Sequence, residues 1–165
     1  MVTSMQQTQS HTKVDKQYIL GLLKEVCDPE IPVLSIADLG IIRNIRFDPS
    51  LNLAGGWEIT ITPTYSGCPA MDVIAMNIRF TLLEKGIVHF HIKQQLSPAW
   101  TTDWMTVDGK QKLKAYGIAP PGERIKSILF ASSAVVQCPH CSSPNTTMLS
   151  EFGSTACKSL YTCNE

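Results

Sequence analysis

The sequence holds no apolar run near the ~18–20 residues that a bilayer span requires, so a membrane-embedded role has no support in it. Neither sign of charge is in surplus: 14 Lys and Arg stand against 14 Asp and Glu. That balance excludes the basic footprint of a nucleic-acid binder and a general attraction to anionic membranes. Residues 1–12 are polar and lack the apolar core of a secretory leader, so they read as a disordered lead-in, and the expected compartment is the cytoplasm. A Gly-rich phosphate loop, a Ser-His-Asp order and a paired-carboxylate arrangement are all missing. The chain is therefore not expected to be an enzyme by itself.

What is present fits a globular protein. The 165 residues are 44% hydrophobic and 17% charged, room for one domain and a small appendage. Ile19, Leu22, Leu23 and Val26 recur at helical spacing, and a helix is expected over residues 13–26, started by Thr12 with Asp15 and stopped before Pro29. Residues 28–40 carry two prolines and the carboxylates Asp28, Glu30 and Asp38, and read as a loop. Alternation predicts strands over 41–47, 57–62 and 87–96, with a helix over 69–85 and a shorter one over 107–116. The expected fold class is therefore α/β (α+β): a compact mixed sheet of three or more strands with helices on one face. It spans 13–117, with a linker at 118–136 and a Cys-rich element at 137–165.

Four of the six cysteines fall in the last 28 residues. In a reducing compartment they read as metal ligands rather than disulfides. Cys138-Pro139-His140-Cys141 is a Cys-x-x-Cys knuckle, whose two thiolates can grip one tetrahedral ion. A zinc ribbon needs a second pair ~15–20 residues on, and here Cys157 and Cys163 have five residues between them, off that pattern. Two readings stay open: a site of Cys138, Cys141, Cys157 and Cys163 with His140 as a substitute ligand, or a ribbon cut off before its fourth ligand. Zinc is favoured over an iron–sulfur cluster, because cluster-type spacings are absent.

Thr64-Tyr65-Ser66-Gly67-Cys68-Pro69 joins a predicted strand to a predicted helix. With Cys68 as N-cap and Pro69 at the first helical position, the thiol would face unpaired amides and the positive end of the helix dipole. Both effects favour a thiolate that is a nucleophile or a soft-metal ligand. The bland alternative is a small buried residue at a tight junction. His89 and His91 share one strand face, which a solvated surface explains more cheaply than a metal. Trp100, Asp103 and Trp104 lie in an aromatic-rich loop that packs over the domain or meets a partner.

Together, Asp28-Pro29-Glu30-Ile31-Pro32, Asp38-Leu39-Gly40 and Thr62-Pro63-Thr64-Tyr65-Ser66-Gly67-Cys68-Pro69 resemble the iron–sulfur-assembly domain family that includes SufT-like proteins. The stretches Pro98–Met105 and Ser150–Lys158 narrow the resemblance to the PaaD-like subfamily of the phenylacetyl-CoA epoxidase system. That resemblance implies an accessory role in aerobic phenylacetate breakdown, helping assemble or maintain an iron or iron–sulfur centre of the ring-epoxidising complex. It implies as partners the di-iron oxygenase and the iron–sulfur reductase subunits, with a homodimer as a further option. It assigns cluster or iron transfer to Cys68, with Asp38, Glu30 and Thr64 around it, as a transient iron or cluster site. It carries zinc ligation to Cys138, Cys141 and Cys163, leaves Cys157 as a candidate fourth ligand, and implies a tail that continues beyond Cys163. The competing expectation is a structural component that contacts its partners through the zinc knuckle and the loop of Trp100, Asp103 and Trp104.

Overall fold

The computed structural model describes residues 14–121 and 135–165. The expected lead-in at 1–12 and most of the expected linker lie outside the described residues. Three strands form the main sheet in the order β1 (Ile42–Asp48), β2 (Gly56–Ile61), β3 (Phe90–Gln94). β1 runs antiparallel to β2, and β3 runs parallel to it. The parallel pair is joined through α2 (Ala70–Glu84), because parallel neighbours need a long crossover. α1 (Lys16–Leu23) packs on both α2 and β1.

Pleating separates the two faces of this sheet. Ile45, Ile59 and Ile61 turn inward to meet Ile19, Leu23, Ile74, Ile78 and Leu82, all buried. Arg46, Glu58 and His91 occupy the opposite face, where Arg46 Nε meets Glu58 Oε1 at 2.9 Å and Glu58 sits beside His91 in register. His91 and His89 are exposed, and among the described residues no metal-ligand group includes them. The α+β expectation, with a three-stranded mixed sheet, matches the structure.

Several boundaries differ from the sequence reading, each for a local reason. Asp15 caps α1, accepting from the Tyr18 amide at 2.8 Å, while Thr12 lies outside the described residues. α1 ends at Leu23, well before Pro29, because the chain turns into a bridge between Cys27 and Ser35. β3 starts at Phe90 rather than 87, since the Ile87 amide still bonds the Leu82 carbonyl at 3.0 Å and Gly86, at φ +73°, closes α2. The stretch read as a loop is a core element without regular structure: Ile31, Leu34, Ile36 and Leu39 are all buried.

α3 (Val107–Ala115) is capped by Thr106, which accepts from the Gly109 amide at 2.9 Å. The Cys-rich element is a two-stranded antiparallel ribbon of β4 (Thr146–Ser150) and β5 (Leu160–Cys163). No helix among the described residues is long and apolar enough to cross a membrane.

Candidate metal centre and interdomain cavity

The ribbon brings three of its sulfurs together. Cys138 precedes β4, Cys141 closes the knuckle, and Cys163 ends β5; their Sγ atoms all lie within 4.8 Å of one another. Cys141 and Cys163 are 3.6 Å apart. A zinc–sulfur bond of ~2.3 Å puts tetrahedral neighbours roughly 3.8 Å apart, so this donor set fits one zinc-sized ion. The amides of Cys141 and His140 turn toward the Cys138 sulfur and bring its pKa down to about 7, against the opposing effect of burial. The Glu165 amide favours the Cys163 thiolate, yet Cys141 and Cys138 beside it outweigh that and hold its pKa above the usual thiol value. Three sulfurs thus share a site where not all ionise easily without a cation.

Neither proposed fourth ligand joins them. His140 lies over Gly117, where a Cβ would meet the imidazole at 3.3 Å. Cys157, on the loop between β4 and β5, donates to Glu30 Oε2 at 3.1 Å.

That contact spans the two parts of the chain and closes one side of a cavity of about 690 Å³. Glu30, Thr64, Tyr65, Cys68 and Cys157 all line it, together with Trp100. Cys68 stands on the turn at the carboxyl end of β2, the position where open α/β sheets commonly hold ligands. It lies one residue before the helix cap, because Pro69 already has helical dihedral angles and itself takes the cap position. The Cys68 carbonyl accepts from the Met71 amide at 3.2 Å, and its side chain is half-buried against the core. Burial, the neighbouring Cys68, and the charges of Cys68, Glu30 and Cys157 push the Tyr65 phenol up to about 12. Protein packed around Cys157 raises its thiol pKa, and Glu30 adds to the rise while Thr155 opposes it.

Asp38 is placed elsewhere. Its carboxylate accepts from the Ser35 amide (3.0 Å), the Ser35 hydroxyl (2.9 Å) and Lys112 Nζ (2.6 Å). Thr106 donates to its second oxygen at 3.3 Å. It does not line the cavity; it ties the buried 31–41 segment to α3. Trp100 and Trp104 also have partners within the chain. Trp100 Nε1 donates to the Leu39 carbonyl at 2.8 Å, and the Arg43 guanidinium lies 3.5 Å from the Trp104 ring centroid. Asp103 between them is exposed. The sequence reading missed Lys112 as the counter-charge of Asp38, and no local signal could have found a partner 74 residues away.

Comparison with known proteins gives two family matches. Residues 16–85 match the family described as iron-sulfur cluster assembly protein, and residues 123–165 match the PaaD zinc beta ribbon domain. The chain is 48% identical over 146 residues to an Escherichia coli K12 protein that is provisionally named as one of the subunits of 1,2-phenylacetyl-CoA epoxidase, covering 88% of this chain and 84% of that one. It is 33% identical over 96 residues to an Fe-S protein maturation auxiliary factor of Porphyromonas gingivalis W83, covering 58% of this chain and 87% of that one. The main fold is similar to the crystal structure of a DUF59 domain from Bacillus anthracis, with a TM-score of 0.52 at 23% identity, covering 59% of this chain and 89% of that one.

Proposed function

This chain belongs to the PaaD family, whose Escherichia coli member carries the name of a phenylacetyl-CoA epoxidase component, and on that premise we propose that it is a cytoplasmic accessory factor of such a system. It helps assemble or maintain an iron or iron–sulfur centre of the ring-epoxidising complex, whose oxygenase and reductase subunits are its clients, and it performs no oxidation itself. Residues 13–117 form the assembly domain and 137–165 a ribbon folded around zinc at Cys138, Cys141 and Cys163. Bound zinc supplies cross-linking of the knuckle to β5, a structural contribution.

One observation carries the proposal. Cys68 and Thr64, on the turn between β2 and α2, and Glu30, from the segment after α1, converge on a single 690 Å³ cavity. A half-buried thiol beside a carboxylate, a hydroxyl and a phenol is a donor set suited to holding iron briefly, since one strong ligand with weaker neighbours releases its cargo readily. Such a set supplies neither a general base paired to a nucleophile nor an oxyanion hole, so hydrolytic or acyl-transfer chemistry has no support.

The test is co-expression of the client subunits with the wild-type protein or with Cys68→Ser. The variant is expected to lower client iron content and epoxidase activity at least several-fold, with unchanged client abundance. Equal iron in both cultures would contradict the proposal. A second reading, a purely structural component, is favoured by the outward face of α2, where Val73, Met76, Phe80 and Leu83 are exposed at helical spacing. On that reading Cys68→Ser is silent, while Phe80→Asp breaks co-purification with the clients.

A further inference from the structure

The contact between Cys157 and Glu30 gives the ribbon a part beyond its own metal knot. Cys157 lies apart from the three clustered sulfurs and reaches across to the assembly domain, where its thiol donates to Glu30 Oε2 at 3.1 Å. Lys158 beside it reaches the Glu30 carbonyl at 3.5 Å, so two consecutive ribbon residues dock on one residue of the domain. Cys68 lines the same cavity.

We propose that Cys157 of the ribbon and Cys68 of the assembly domain are paired thiolate ligands, with Glu30 as a third, of a divalent metal site in the cavity between the two units. The site takes a borderline-soft ion of the Fe(II) class, to which two thiolates and one carboxylate are suited donors. It rests on the reading of Cys68 as a metal ligand and adds that the ribbon completes the site. The donors stand around the cavity, and among the described residues the only set already within 4.8 Å is that of Cys138, Cys141 and Cys163. Binding draws Cys157, on its exposed loop, toward Cys68. Each metal–sulfur bond replaces an S–H bond, the proton leaves to solvent, and no oxidation state changes. A site split between two units also has a release route, since displacing the ribbon from Glu30 removes one of the two thiolates.

Cysteine-resolved alkylation tests the assignment. The zinc-loaded full chain is titrated anaerobically with Cd(II), treated with N-ethylmaleimide, and read peptide by peptide by mass spectrometry. Cys68 and Cys157 are expected to become at least tenfold slower to alkylate, with a common midpoint. Cys157→Ser should raise the Cys68 midpoint at least tenfold, and Cys68→Ser should do the same for Cys157. Glu30→Gln should shift both in the same direction by a smaller factor. Continued protection of Cys138, Cys141 and Cys163 in each variant shows that the ribbon is still folded. Protection of Cys68 at an unchanged midpoint in Cys157→Ser overturns the paired site and leaves Cys68 as a ligand on its own. No protection of Cys68 in the wild-type protein overturns both.

Discussion

At the scale of single residues, charge and burial separate roles that the sequence grouped together. Asp38 and Cys68 were both expected at a transfer site, yet Asp38 is 8% exposed and occupied by Ser35, Thr106 and Lys112. Asp38→Asn leaves the Ser35 amide and Lys112 without a charged acceptor, and is expected to cost about 2 kcal/mol of stability, read as a lower urea midpoint. Burial alone would raise the Asp38 pKa, but Lys112 and Ser35 outweigh it, and the folded value lies below the ordinary 3.8. A carboxyl depressed by folding stabilises fully above its unfolded pKa and loses that contribution as pH falls through the folded one. The wild-type urea midpoint should therefore drop below about pH 4 by a component that Asp38→Asn lacks. The strand–turn–helix setting of Cys68 was legible because its motif is local. The meeting of Cys157 with Glu30 was not, since 127 residues separate them and neither sits in a pattern that names the other.

Among the elements, periodic ones were legible and packed irregular ones were not. The stripe of Ile74, Ile78 and Leu82 gave α2 to within a residue at each end, because helical spacing and burial coincide there. Residues 28–40 looked like loop, for two prolines and three carboxylates mask a set of apolar side chains that the fold buries. That segment is held by turn and bridge hydrogen bonds, such as the Asp28 amide to the Leu34 carbonyl at 2.8 Å and the Ile36 amide to the Val26 carbonyl at 2.9 Å, and by close approach. Gly40 has φ +67°, and the Trp104 carbonyl occupies the space where a Cβ would stand. Gly40→Ala is expected to destabilise by more than ~1 kcal/mol through the left-handed backbone alone, with the collision adding to it. A thermal melt several degrees lower would register that loss, and an unchanged melt would show that the loop yields at little cost. The tryptophan loop, read as packing over the domain or meeting a partner, belongs here too, since an aromatic-rich loop reads the same in either case; Trp100, donating to the Leu39 carbonyl, holds a neighbouring segment.

At the scale of the whole molecule, the described residues comprise a three-stranded α+β part with its own core and a two-stranded ribbon that has almost none. Among the described ribbon residues, Cys138 alone is a buried apolar side chain, while Met148, Leu149, Phe152 and Leu160 are exposed. A two-stranded ribbon without a core is marginal in water, so a metal held at Cys138, Cys141 and Cys163 would supply the order that packing does not. Chelating that metal is expected to release amide protection across β4 and β5 while β1, β2 and α2 stay protected, as hydrogen exchange would measure. It should also free Glu30 and open the cavity. The second sheet, β4 with β5, falls in the cysteine-rich stretch, but the cavity was not legible, because it exists only where the ribbon meets the rest of the chain. Function at this scale turns on whether Cys68 holds iron in transit to a client. The most direct measurement is anaerobic transfer of radiolabelled iron from the purified protein to an iron-depleted client reductase. Label should move to the client from the wild-type protein and at least tenfold less from Cys68→Ser; equal transfer from both would contradict a carrier role for Cys68.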